Sequence, residues 1–120
     1  MGIRVVIVDD QAFVRDGLRM LLASFAGYDV VGEAASGVEA VRIASALRPD
    51  IMLMDIAMPE MNGIEATRRI MEELVGVKVI ALSVHNNPQY KELMRQAGAV
   101  AYVSKDRLAD ELAPAIRAVA

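Results

Sequence analysis

Ile3–Val8, Ile51–Met54, Val77–Leu82 and Val100–Val103 are short, mostly apolar runs, interrupted in charge only by Arg4 and Lys78. Each leads into a residue with chemistry: Asp9 and Asp10, Asp55, Ser83, then Ser104 and Lys105. Such runs suit strands buried on both faces, as in a parallel sheet. Between them the apolar period switches to helical spacing. Val14, Leu18, Leu21, Leu22 and Phe25 form one stripe, with Gly27 after it. Ala40, Val41, Ala44 and Leu47 form a second, behind a predicted Ser36 N-cap with Glu39 at capping-box spacing. Thr67, Ile70, Met71 and Leu74 form a third; Tyr90, Leu93, Met94 and Ala97 a fourth, opened by Asn86-Asn87-Pro88; Leu108, Leu112, Ile116 and Val119 a fifth. A further strand fits Val30–Ala34, and Asp55 to Gly63 reads as a loop.

Five strands alternating with five helices require right-handed crossovers between parallel strands. The expected fold is α/β: a doubly wound five-stranded parallel sheet of order 2-1-3-4-5, flavodoxin-like, as one domain over residues 1–120. That order makes strands one and three neighbours and puts the chemical residues at the carboxyl edge of the sheet, where open α/β sheets build sites.

Several function classes are excluded. There is no cysteine, so disulfides and thiolate metal sites are ruled out, and the single histidine, His85, argues against an all-protein zinc site. The net charge is −3 with scattered basic residues, which leaves no nucleic-acid footprint. No apolar stretch is long enough to span a bilayer, and the N-terminus reads directly as a strand, so the expected location is the cytoplasm.

The sheet order places Asp9, Asp10 and Asp55 in a small volume. Like charges this close resist joint ionisation unless a cation is present, and a hard divalent ion such as magnesium meets that need. Ser83 and Lys105 would stand on the other side of Asp55. A hydroxyl, an ammonium and a metal ion around one carboxylate form a cage for a phosphoryl group, whose transfer needs mainly positioning and charge neutralisation. Asp55 would then be the nucleophile. Taken singly, Asp9-Asp10 reads better as a helix N-cap, Asp55 as a loop aspartate and Lys105 as a solvated lysine. Four strand ends agreeing at once reverse those readings. His85 reads as a loop residue flanking the site, and the methionines around the loop as core filler.

The pieces Val5–Asp10, Pro49-Asp50-Ile51-Met52-Leu53-Met54-Asp55, Met58-Pro59-Glu60-Met61-Asn62-Gly63, Leu82-Ser83 and Gly98 through Lys105 occur in this order. Together they make the chain resemble, over essentially all of its length, a receiver domain of a bacterial two-component response regulator. Leu82-Ser83-Val84-His85 and Lys105-Asp106 look most like its NarL/LuxR-type branch. The resemblance implies that Asp55 accepts a phosphoryl group from a phosphohistidine on a sensor histidine kinase. It implies a Mg2+ site in which Asp10 is a direct ligand, Asp9 acts mostly through water, and Asp55 and the Ala57 carbonyl complete the protein ligands. Ser83 would bind the phosphoryl oxygens, Lys105 would pair with their charge, and Tyr102 would be an aromatic switch turning inward as Ser83 moves. Serine, in place of the commoner threonine, loosens that switch, and Val84 narrows access to the phosphoryl group.

On the same resemblance, the chain is a phosphoacceptor that assists its own phosphorylation and slow dephosphorylation; it is not an enzyme with turnover. Its output face would be helix four, strand five and helix five, with homodimerisation on phosphorylation. DNA would be reached only through a separate C-terminal helix-turn-helix domain outside this chain. Rival readings are weaker. A haloacid-dehalogenase-type enzyme needs a second acid two residues after its nucleophile, and Ala57 stands there. A nucleotide or flavin binder would be expected to show a Gly-x-Gly-x-x-Gly or Gly-Lys-Thr/Ser loop. A pseudo-receiver that binds partners without phosphorylation would have little reason to keep all five site residues.

Overall fold

The computed structural model describes residues 2–84 and 88–120. His85, Asn86 and Asn87, and with them the expected polar start of the fourth helix, lie outside the described residues. The elements are β1 (Ile3–Val8), α1 (Ala12–Ala23), β2 (Tyr28–Ala34), α2 (Gly37–Leu47), β3 (Ile51–Asp55), α3 (Gly63–Glu73), β4 (Lys78–Ser83), α4 (Pro88–Ala97), β5 (Ala101–Ser104), a 3-10 turn (Lys105–Arg107) and α5 (Leu108–Val119). All neighbouring strands pair in parallel, in the order β2-β1-β3-β4-β5. This is the expected doubly wound fold.

Side chains alternate along each strand and so divide the core into two layers. Val6, Val8, Met52, Met54, Val79 and Ala81 face one side and pack with Ala40, Ala44, Ala66, Ile70 and Met94 of α2, α3 and α4. Val5, Ile7, Ile51, Leu53, Ile80, Leu82 and Val103 face the other and pack with Leu18, Leu22, Leu112 and Ile116 of α1 and α5. The central strands are buried on both faces, which is why their sequences are continuous apolar runs.

Helix ends follow local chemistry. Ser36 caps α2 by accepting the Glu39 N–H at 3.1 Å, while Glu39 Oε1 reaches back to the Ala35 N–H at 2.8 Å, one residue before the usual capping-box partner. The helix ends on Arg48 at φ 45°, because Pro49 disfavours continued helix at the residue before it. Gly98 takes φ 115° after α4. Pro114 lies inside α5, so the Asp110 carbonyl lacks its ordinary helical donor.

Strand limits differ from expectation in an informative way. β2 starts at Tyr28, because Tyr28 pairs with Ile3 and the ladder shifts between Val5 and Val6. β4 and β5 each run one residue later than the apolar runs, so that Ser83 and Ser104 are ladder partners and the last residues of their strands. Val100 falls outside β5 and is half exposed, although its N–H donates to the Val79 carbonyl at 2.9 Å. In α4 only Met94 and Ala97 are buried. Tyr90 and Leu93, each 42% exposed, turn away from the core that the helical spacing assigned to them.

Candidate functional site

Register brings the site together. Val8 pairs with Met54, so Asp9 and Asp55 leave the sheet at the same level; Asp55 pairs with Leu82, and Ser83 with Ser104, placing Lys105 one residue beyond. Asp9 is 1% exposed and Asp55 and Ser83 6% each, whereas Asp10 is exposed. Oxygen atoms of Asp9, Asp10 and Asp55 all lie within 4.8 Å of one another. Three hard oxygen donors this close, two of them on buried residues, suit a small divalent cation such as magnesium.

Lys105 holds the two buried carboxylates together. Its Nζ lies 2.5 Å from Asp9 Oδ2 and 3.1 Å from Asp55 Oδ1. Sequence reasoning set it against Asp55 alone; the structure places it between both, nearer Asp9, because two buried like charges need a shared counter-charge. Burial pushes the Asp55 carboxyl above the ordinary carboxylate range; Lys105 opposes this and Asp9 adds to it. Burial works against the charge on Lys105, but its bonds to Asp9 and Asp55 outweigh that and hold its ammonium above the ordinary lysine value.

Neither acidic residue at the end of β1 caps α1. The N-cap is Gln11, without a side-chain cap bond, and Asp9 Oδ1 accepts the Gln11 N–H at 2.9 Å in a local turn. The backbone of Asp9 is fixed as well: its N–H donates to the Ala34 carbonyl at 3.0 Å, and its carbonyl accepts Arg15 Nη1–H at 2.6 Å.

The loop after Asp55 is folded tightly against it. The Gly63 N–H donates to the Ile56 carbonyl at 2.7 Å, and Asn62 Oδ1 caps α3 by accepting the Glu65 N–H at 3.0 Å. A Cβ on Gly63 would sit 2.0 Å from the Asp55 carbonyl oxygen, so a larger residue fits only if the backbone shifts. Glu60, between them in the chain, takes a left-handed φ of 69° without being glycine. A cleft of about 490 Å³ opens over the site, lined among others by Asp55, Ala57, Asn62, Ser83, Val84 and Tyr90. Ala57 and Val84 both line this cleft with Asp55.

Tyr102 is the expected site residue that the structure does not bring into the cluster. It pairs with Ala81 across the sheet edge, is half-buried against the α4 layer, and lines a shallow pocket with Lys91, Met94 and Arg95. Tyr90, Gly63 and Arg15 are site neighbours that sequence reasoning missed. Gly63 carries a readable signal, a glycine opening a helix directly after the loop; Tyr90 and Arg15 carry none, since their places depend on side-chain reach.

Comparison with known proteins fits this geometry. Residues 5–117 match the response regulator receiver domain. The chain is 41% identical over 117 residues to the response regulator GacA of Pseudomonas viridiflava, covering 98% of this chain and 55% of that protein. The crystal structure of a LuxR-family two-component response regulator from an Aurantimonas species superposes with a TM-score of 0.93 at 37% identity, covering 99% of this chain and 85% of that one. The signal receiver domain of NarL from Mycobacterium tuberculosis superposes with a TM-score of 0.92 at 30% identity, covering 98% and 94%. The chain spans about half the length of the full-length relatives it matches. With its strand order, its acidic edge and this match over nearly the whole chain, the protein belongs to the response regulator receiver domain family.

Proposed function

We propose that this chain is a phosphorylation-controlled signalling switch in which Asp55 is the phosphoacceptor. The observation that carries the reading is the carboxyl edge itself: three aspartates within 4.8 Å, with the Lys105 ammonium between two of them and Ser83 at the end of the adjoining strand. An Asp55 oxygen attacks the phosphorus of a phosphohistidine on a sensor histidine kinase. The O–P bond forms as the N–P bond breaks, and the imidazole leaves.

Asp9, Asp10, Asp55 and the Ala57 carbonyl would hold Mg2+, which when bound neutralises charge on the carboxylates and the phosphoryl oxygens. Lys105 turns from Asp9 toward the phosphoryl group, and Ser83 donates its hydroxyl to it. Ala57 provides no acid or base two residues after the nucleophile, so the acyl phosphate persists as a stored signal. The phosphoryl charge favours one packing of β4, α4 and β5, Tyr102 repacks with it, and the face made by α4, β5 and α5 changes its affinity for a partner, most simply a second copy of this chain. A C-terminal helix-turn-helix domain outside this chain would carry the signal to DNA. Full-length relatives about twice as long, and a LuxR-family structural neighbour, support that reading. No helix among the described residues is long and apolar enough to cross a membrane, and we place the switch in the cytoplasm.

With magnesium and acetyl phosphate, the intact mass is expected to rise by one phosphoryl group, and not to rise when magnesium is chelated. An unchanged mass, or a rise that ignores chelation, contradicts the proposal.

A further inference from the structure

We infer that Arg15 is a positioning residue for the metal site, holding the peptide that carries Asp10 toward the ion; the inference rests on the function proposed above. Arg15 stands on the first turns of α1, six residues after Asp9, with only 19% of its side chain exposed. Its guanidinium works in two directions. Nη1–H donates to the backbone carbonyl of Asp9 at 2.6 Å, and Nε–H donates to Glu33 Oε1 at 3.1 Å on β2. A planar fork with several donors in fixed geometry suits that double duty.

The carbonyl that Arg15 grips belongs to the peptide joining Asp9 to Asp10. The orientation of that plane decides where the Asp10 side chain emerges, since the two share one rigid unit. The Asp9 side chain is fixed by Gln11 and Lys105 and its N–H by Ala34. Asp10 is exposed, and Arg15 is what sets the peptide before it. The guanidinium also puts a positive charge behind three crowded carboxylates without occupying the ion's place. Glu33 is what keeps Arg15 behind the site: its carboxylate takes Arg15 on one oxygen and Arg19 on the other. Removing a group that orients metal ligands from behind typically costs about 10–100-fold in metal affinity or activity.

Arg19 is the natural control. It shares Glu33 with Arg15 and bonds Asp16, but its hydrogen bonds do not go to Asp9. The experiment titrates magnesium into the intact chain by calorimetry, and measures the magnesium dependence of acetyl phosphate labelling, for the wild type, Arg15→Met and Arg19→Met. Methionine keeps the aliphatic stem and removes the fork. Expected for Arg15→Met is magnesium affinity weakened about tenfold, with labelling at saturating magnesium returning to the wild-type rate; Arg19→Met binds magnesium as the wild type does. Wild-type affinity in Arg15→Met, or an equal loss in Arg19→Met, overturns the inference and leaves the proposed function standing. A wild-type protein that binds no magnesium removes that function and this inference with it.

Discussion

Asp55 carries a charge that its surroundings resist. Burial raises its pKa first, and Asp9 raises it further, with Lys105 compensating only in part. A carboxyl whose folded pKa lies above its unfolded value binds more protons when folded, so stability falls as pH rises through that window and the cost stays in place above it. Asp55→Asn removes the cost while keeping the shape. Without metal, the variant is expected to melt several degrees above the wild type at neutral pH, and the gap should close below about pH 4, where the carboxyl is protonated in both states. A thermal scan across pH checks both halves; a gap independent of pH means that the carboxylate is not the strained group. Asp9, Asp10, Asp55, Ser83 and Lys105 were legible in the sequence because each follows an apolar run that fixes its height at one sheet edge. The preference of Lys105 for Asp9 was not legible, since it depends on where a long side chain meets two carboxylates in three dimensions.

The elements around the site are set by backbone fit as much as by apolar pattern. Gly63 opens α3 in direct contact with the Asp55 carbonyl. Gly63→Ala is expected to cost roughly 2–3 kcal/mol, because a methyl group meets backbone that cannot yield without moving the loop after Asp55. Denaturant unfolding measures the cost, and the same variant should take up phosphate more slowly from acetyl phosphate. A neutral result would mean that the loop yields freely. Strand and helix identities followed from the alternation of apolar runs and helical stripes, and the Ser36 cap from its spacing to Glu39. Boundaries did not: β2 begins at Tyr28 and β5 at Ala101 because ladder register, invisible in one strand's sequence, decides them. The stripe in α4 misled for a related reason. That helix packs through Met94 and Ala97 only, and Tyr90 and Leu93 lie on a face that the fold leaves open. Pro114 sits inside α5 because the remaining turns, anchored by Leu112 and Ile116 in the core, outweigh one lost helical bond.

The whole molecule has two apolar layers on one sheet, and the elements around the proposed phosphoacceptor site are tied unequally. β1, α1 and β2 are tied by the Arg15–Glu33–Arg19 network, whereas α4 buries only Met94 and Ala97, and Tyr102 on the α4 side of β5 is half-buried. Phosphorylation is therefore expected to change amide hydrogen exchange in β4, α4 and β5 and to leave β2 and α2 unchanged; a uniform change across the sheet would contradict a switch localised to that side. The sheet order was legible from the count and spacing of elements, but this asymmetry of packing appears only once the helices are in place. All of it depends on which carboxylate accepts the phosphoryl group. The most direct measurement is borohydride reduction of the protein after acetyl phosphate treatment with magnesium, followed by peptide mass mapping, which converts the phosphorylated aspartate to homoserine. Homoserine at position 55 alone, and none in Asp55→Asn, is the expected result; homoserine at position 9 or 10, or at none of the three, would contradict it.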